Sequence, residues 1–377
     1  MKRLEGMNIE GKRVIVRCDY NVPIENGVIK DDTRIVNSLE TIKYCIRKAS
    51  KVIILSHLGR IKTEEDKQNN SLKVVCDRLS KLLNEDVTFV TYDEDVESKV
   101  NDNKLIMFEN VRYFDLDNKK ESNEDPELSK YFASFGDIFI NEGFGVSHRE
   151  CASLTGISKL LPSCNGFLVC NEVDNLSNLL DGYEKPYTVC MGGKKVSDKI
   201  ESIDSLITKC DYMLISGLMV YTFLASMGKK TGKAFVEEDS FEYCKSLLEK
   251  YPEKIVLIKD AYVRNNGKQY RLIDEIDDND ECLDIGPETI KTFKTYLEKS
   301  KTIFINGPVG LFEDPEYEYG SKSLCEILKT LDSKIYAGGG ETTYMFNKYG
   351  VDNAFKSTGG GATLTFLSSG TLIGIIK

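Results

Sequence analysis

The sequence predicts an α/β fold in which mostly parallel sheets are flanked by helices and shared between two domains joined by a helix. Three observations lead there. At 377 residues the chain is too long for one ordinary core. Short β-rich apolar runs recur at 14–17, 52–55, 105–108, 138–140, 188–191, 212–215, 255–258, 302–305 and 334–336. Most are separated by longer segments with helical spacing, such as "LKVVCDRLSKLL" and "KSLCEILKTL". Strands that alternate with helices pair in parallel and are covered on their faces.

The polar residues are gathered behind these runs, which end in "CDYN", "SHLGR", "ENVR", "NEGFGVSHR", "GGKKVSDK", "SGLM", "NGPVGLFE" and "AGGGETT". Ligands of open α/β sheets bind beyond the carboxyl ends of the strands. The clusters also divide by chemistry. The first half carries Arg34, His57, Arg60, Arg112, His148 and Arg149; the second carries glycine, lysine and acidic residues. Between them, Pro162, Gly166, Gly182 and Pro186 bracket one helix over 167–180. The division is therefore a first domain over 1–166, a connecting helical segment over 167–182 and a second domain over 183–357.

Composition excludes several classes. With 41% hydrophobic and 29% charged residues the chain folds as a globular protein. Its formal net charge of −10 disfavours nucleic acid and anionic membranes as partners. A few cations converging in one cleft can still take a phosphorylated metabolite. The eleven cysteines are scattered singly with no C-x-x-C pair, which fits neither a disulfide framework nor a zinc site. The start, "MKRLEGMNIEGKRV", has no apolar signal-peptide core. No run approaches the roughly 20 apolar residues of a membrane span. The expectation is a cytoplasmic protein.

Arginine suits bidentate recognition of phosphate and carboxylate. Arg34, Arg60, Arg112 and Arg149 lie on four separate strand-end loops, where together they make an anion pocket and singly they read as solvated surface. Neither histidine has a neighbour that reads as a nucleophile relay; Cys151 in "SHRECAS" is a weak thiol candidate. In "YTVCMGGKKVSDKIESI" a buried-strand pattern empties into cations. Lys195 and Lys199 share a helix face if the segment after Gly193 is helical, whereas Lys194 is rotated by roughly 100°. A helix N-terminus with lysines in its first turn suits a phosphate chain. The P-loop pattern is not met, and "AGGGETT" lacks the third glycine of a dinucleotide fingerprint. It still lets backbone approach phosphate, and Glu341 follows as a carboxylate able to hold Mg²⁺. "STGGGATL" offers a second nest, with Ser357 and Thr358 as further donors.

The ordered series "VRCDYNVP", "DDTR", "SHLGR", "FENVR", "GFGVSHR", "GGKKVSDK", "DIGP", "NGPVGLFE", "GGGETT" and "STGGGA" resembles the motifs of the phosphoglycerate kinases over nearly the whole chain. The resemblance implies two Rossmann-like domains. It also implies reversible, Mg-dependent phosphoryl exchange between 1,3-bisphosphoglycerate with ADP and 3-phosphoglycerate with ATP, a step of glycolysis and gluconeogenesis. In this family the C-terminus returns to the first domain, so 358–377 is expected to complete it. By the same resemblance Asp19, Asn21, Arg34, His57, Arg60, Arg112 and Arg149 match the 3-phosphoglycerate site, with Arg34 also meeting the moving phosphoryl group. Lys195 matches the lysine that follows that group, and Lys199 the one on the nucleotide phosphates. Glu313 matches the ribose contact; Gly193, Gly217 and Asn306 fall in the nucleotide stretches. Gly338, Gly339, Gly340, Glu341 and Thr342 match the phosphate and metal loop, and the N–H groups of Gly340 and Gly361 the backbone donors of catalysis.

That chemistry agrees with the residues present. A carboxylate leaving group is stable near neutrality, so no general acid or base is required. Positioning and charge neutralisation by Arg34, Lys195, Mg²⁺ and backbone N–H groups suffice. With the substrates on different domains, a hinge-bending closure is expected. A monomer is expected too. The departures gather in the nucleotide half: Glu341 stands where the family has Asp, and Lys194, Ser216 and Leu218 replace small residues. Glu142 replaces an Asp and Cys151 a His in the first half. Altered metal or nucleotide dependence follows as an expectation. A catalytically impaired binding or regulatory descendant, and a kinase for another acyl phosphate, stand as the competing readings.

Overall fold

The computed structural model describes every residue except Glu94 and Asp117. The chain divides into two compact units, Met1–Asp174 with Thr371–Lys377, and Asn175–Gly370. Each is built on a six-stranded parallel sheet.

In the first unit the strands are β1 (Arg13–Cys18), β4 (Lys51–Leu55), β5 (Thr88–Val90), β6 (Leu105–Phe108), β7 (Ile138–Glu142) and β8 (Ser163–Asn165), in the spatial order β5-β6-β4-β1-β7-β8. A small hairpin, β2 (Ile24–Glu25) with β3 (Val28–Ile29), turns on Asn26 and Gly27. Both have positive φ, as a two-residue hairpin loop of this twist requires. The apolar runs are continuous because both faces of the sheet are buried. Val14 and Val16 of β1 join one core while Ile15 joins another; Val52 and Ile54 part in the same way from Ile53 and Leu55. Side chains that alternate between two buried faces favour apolar residues along most of each strand.

The second unit contains β9 (Tyr187–Met191), β10 (Tyr212–Ile215), β11 (Ile255–Val256), β15 (Thr302–Asn306), β16 (Lys334–Gly338) and β17 (Ala354–Ser357), in the order β11-β10-β9-β15-β16-β17. Counted along the chain this is the 3-2-1-4-5-6 order of doubly wound sheets, whose direction of winding reverses between β9 and β15. An antiparallel sheet of β12 (Asp260–Arg264), β13 (Lys268–Leu272) and β14 (Glu281–Ile285) is inserted between β11 and β15 in the chain.

The helix Phe167–Ser177 carries the chain from one unit into the next and stops short of the expected residue 180. The end of the chain departs more clearly from expectation. The helix Gly361–Ser369 belongs to the second unit, where Ser205 Oγ donates to Leu367 O at 2.9 Å, because its apolar side buries Ala362, Phe366 and Leu367. Only from Thr371 does the chain rejoin the first unit, so 358–370 do not complete that unit. There Gly374 N–H donates to Ser147 O at 2.8 Å, and Asn165 Nδ2 to Ile376 O at 2.8 Å. All eleven cysteines are buried and unpaired. Among the described residues no helix is long and apolar enough to cross a membrane.

Candidate active site

In the first unit the polar groups converge at the carboxyl ends of β1, β4, β6 and β7. Asp19 follows β1 and is 9% exposed; its Oδ2 accepts from Arg34 Nη1 at 2.7 Å. Arg34 stands in the first turn of the helix Thr33–Lys48. Asn21 continues the same turn, and its Oδ1 accepts the Gly59 N–H at 2.8 Å. Gly59 in turn offers its carbonyl to Arg112 Nη1, so that one chain of bonds links three strand ends. Arg149 Nε reaches His148 Nε2 at 2.9 Å behind β7, and Arg60 lies exposed after β4.

The electrostatics separate these groups. Burial acts to raise Asp19, but the Arg34 guanidinium, the Asn21 N–H and Arg17 outweigh it and hold the carboxyl below its ordinary value. Burial pushes His57 well below the usual histidine range; Arg112, Arg17 and Arg34 push the same way while Asp19 resists. His57 is therefore a neutral imidazole that can donate or accept one hydrogen bond.

Arg17 belongs with them, and the motif reading passed over it. It is 2% exposed, its Nε donates to Ser153 Oγ at 2.7 Å, and its Nη2 lies 3.4 Å from His57 Nδ1. A charged side chain inside the apolar run "RVIVRC" was the available signal. The thiol reading of Cys151 fails: the side chain is buried and burial pushes its pKa up, away from a thiolate.

In the second unit the site lies at the reversal between β9 and β15. Gly192 N–H donates to Asn306 O at 2.8 Å, and a Cβ on Gly192 would stand 2.3 Å from Pro308 O. Gly217, at φ +64°, approaches Gly193 equally closely. Three loops thus touch backbone to backbone, which only glycine permits. Asn306 Nδ2 donates to Gly338 O at 2.7 Å, and Thr342 Oγ1 accepts from Gly307 N–H at 2.8 Å, tying the ends of β15 and β16 together. Gly339 turns at φ +97° and Gly340 opens the helix Gly340–Tyr349. A Cβ on Gly339 would lie 3.6 Å from the Cα of Gly360, so the turn before Gly361 adjoins this loop.

Lys199 is half-buried and donates to Asn306 Oδ1. Burial pushes it down to about 8, against the attraction of Glu341 and Asp198. The shared helix face expected for Lys195 and Lys199 is absent. The regular helix begins at Ile200, after a 3₁₀ turn over Ser197–Lys199, so Lys195 lies on the loop and is exposed.

Two cavities adjoin here. One, of about 270 Å³, is walled mainly by apolar side chains, including Leu218, Tyr221, Val309 and Leu311, with Glu313 at its edge. The other, of about 280 Å³, is lined by Lys199, Asn306, Thr342 and the glycines 338–340. A mainly apolar chamber that shares wall residues with a glycine- and lysine-lined one matches a nucleoside with its phosphate chain. Glu341 lines both, and among the described residues no group of three or more His, Cys, Asp or Glu could hold a metal by itself.

Comparison with known proteins agrees with this geometry. A family model described as phosphoglycerate kinase matches residues 4–370. The phosphoglycerate kinase of Enterococcus faecalis is 43% identical over 388 residues, covering 99% of this chain and 98% of that protein. That of Lacticaseibacillus casei is 44% identical over 382 residues, covering 98% and 96%. Among solved structures, the phosphoglycerate kinase of Pyrococcus horikoshii OT3 superposes with a TM-score of 0.89 at 26% identity, covering 99% of this chain and 97% of that one. The Coxiella burnetii structure gives 0.83 at 32% identity, with the same coverage. These relatives support a catalytic role and lend nothing to a regulatory descendant.

Proposed function

The chain belongs to the phosphoglycerate kinase family, and on that premise we propose which of its residues perform the phosphoryl transfer to a carboxyl acceptor. The first unit takes 3-phosphoglycerate. Arg60, Arg112 and Arg149 receive its phosphate; Arg34, oriented by Asp19, meets its carboxylate; Asn21 and neutral His57 hydrogen-bond what lies between. The second unit takes ATP or ADP. The base enters the apolar cavity, the ribose meets Glu313, and the phosphates reach Lys199, Asn306, Thr342 and the loops of Gly193, Gly217, Gly338, Gly339 and Gly340.

Transfer then needs charge neutralised where it develops, on the equatorial oxygens of the migrating group. Arg34, Lys195 and the N–H groups of Gly340 and Gly361 supply the protein's share. No side chain has to move a proton, since the acceptor is already an anion near neutrality. Glu341 would hold a Mg²⁺ ion at the polar cavity, where the ion would supply positive charge toward the nucleotide phosphates. A lone carboxylate at the polar cavity fits that ion, which keeps several waters and takes its other ligands from phosphate. Glu341 would hold it with one methylene more than an aspartate, which relaxes selectivity for Mg²⁺ over Mn²⁺. We place this activity in a cytoplasmic monomer.

The observation that carries the reading is the pairing of an apolar chamber with a glycine-lined cationic one where the sheet reverses direction. An assay with 3-phosphoglycerate and ATP, coupled to a dehydrogenase that consumes the product, tests it. Turnover that requires both substrates is expected; acetate or aspartate serving equally well as acceptor would overturn it. Titrating Mg²⁺ and Mn²⁺ against the chain and its Glu341→Asp variant tests the metal assignment. The variant is expected to favour Mg²⁺ more strongly, and identical metal curves would count against Glu341 as the ligand.

A further inference from the structure

Gly193, Lys194 and Glu341 are the residues that line both cavities of the second unit, among those described. They form the neck between the apolar chamber and the polar one. A ligand occupying both would lie beside them, and one of the three is a cation.

We propose that Lys194 is a further nucleotide ligand, whose ammonium group pairs with the phosphate chain at this neck; the proposal rests on the reading that the second unit binds nucleotide. Three features carry it. The side chain is exposed, and its Nζ has no carboxylate within 4.0 Å among the described residues; it stands 5.1 Å from the centre of the Phe235 ring. A cation over an exposed aromatic face is held weakly, whereas a phosphate offers a charge-assisted hydrogen bond, so a nucleotide would draw it away.

The second feature is the charge balance at the neck. Glu341 and a nucleotide phosphate chain are both anionic and would share this passage. Lys199, the other cation of the polar chamber, is tied to Asn306 Oδ1, and burial already disfavours its charged form. Lys194 supplies the positive charge that lets a phosphate pass a carboxylate.

The third is the neighbouring backbone. Gly192 and Gly193 are pressed against the loops of Gly307 and Gly217, so the residue after them is fixed in place while its side chain stays free. A flexible stem on a fixed base can follow a ligand without disturbing the fold. The consequence is a nucleotide affinity that grows with the number of phosphates and persists without a divalent cation.

Calorimetric titration of the full-length chain in chelator, with ADP and with adenosine, tests this. Lys194→Met keeps the stem and removes the charge; Lys194→Arg keeps the charge. The methionine variant is expected to bind ADP about tenfold more weakly, the loss of one charge-assisted contact. Adenosine should bind both forms alike, and the arginine variant should retain ADP affinity. ADP binding unchanged in Lys194→Met, or adenosine weakened as much as ADP, would overturn the proposal. If the unsubstituted chain binds adenosine but gains nothing from the phosphates of ADP, the phosphate role of Lys194 is likewise refuted while the base site stands. If it binds neither, the nucleotide reading itself falls and this inference with it.

Discussion

Arg34 and Asp19 meet through a 2.7 Å hydrogen bond that joins the start of a helix to the turn after β1. The bond aims a guanidinium by means of a carboxylate that is itself almost buried. Replacing Asp19 with Asn preserves the shape and the acceptor for the Asn21 N–H but removes the charge. We expect kcat/KM for 3-phosphoglycerate to fall by roughly 30- to 150-fold, about 2–3 kcal/mol, the lower end of the cost of breaking a buried charge pair because Arg34 is partly exposed. KM for ATP should stay as it was. Steady-state kinetics with each substrate varied in turn checks both halves of this expectation.

Lys199 predicts a pH dependence of nucleotide binding. Its folded value is depressed to about 8, so the cation is present below that pH and is lost as the pH rises through it. Nucleotide affinity should therefore decline by roughly three- to tenfold between pH 7 and 9.5. An arginine remains charged throughout that window. Lys199→Arg should bind with a flat profile, and fluorescence titration of ADP at several pH values measures the difference.

Glu142 predicts a pH dependence of a different kind. The side chain is fully buried at the end of β7, with Oε1 accepting from the Leu168 N–H at 3.2 Å, and burial raises it to about 8. A carboxyl raised on folding contributes stability that is complete below its unfolded value near 4.5 and is lost as pH rises through about 8. Glu142→Gln removes that loss. Its Tm should exceed the parent's by ~2 °C or more at pH 8, and the two should converge near pH 4.5. Thermal unfolding across this range checks the sign directly.

Two glycines separate packing from function. A Cβ at Gly192 would meet Pro308 O at 2.3 Å, backbone against backbone, with no flexible neighbour to give way. Gly192→Ala should destabilise the chain by about 2–3 kcal/mol, as overpacking does. Nothing lies within 4 Å of a Cβ at Gly340, which opens its helix. Gly340→Ala should change stability by less than about 1 kcal/mol. Urea unfolding of both variants measures the contrast, and any fall in turnover of Gly340→Ala then reports on the approach of phosphate.

What could be read beforehand follows from how each feature is encoded. The strands β6 and β10 match the apolar runs at 105–108 and 212–215 because their residues are buried, apart from half-buried Tyr212, and no charged position interrupts them. The strand β13 escaped for the opposite reason: its residues alternate between exposed and half-buried, and Lys268 and Arg271 interrupt any run. The run at 255–258 holds only the two-residue β11, as the chain leaves the sheet toward the antiparallel insert. Where a polar cluster follows an apolar run, its residues stand at the strand ends as the sequence indicates, as with Asp19, His57, Arg112 and Asn306. Arg17 lies within a run, and its role depends on Ser153 and His57, far away in sequence. The condition for a shared face of Lys195 and Lys199, a helix directly after Gly193, is not met, because spacing does not tell where a helix begins.

Lys195 is the residue to which this account assigns the migrating group itself, exposed on the loop after β9 and without an ion pair among the described residues. The decisive measurement is turnover of Lys195→Ala at saturating substrates, beside calorimetric affinities for ADP and 3-phosphoglycerate. kcat should fall by about 10³-fold, the scale of losing one preorganised transition-state contact, with both affinities within about threefold of the parent. Turnover near the parent's, or a loss explained wholly by weaker substrate binding, would contradict it.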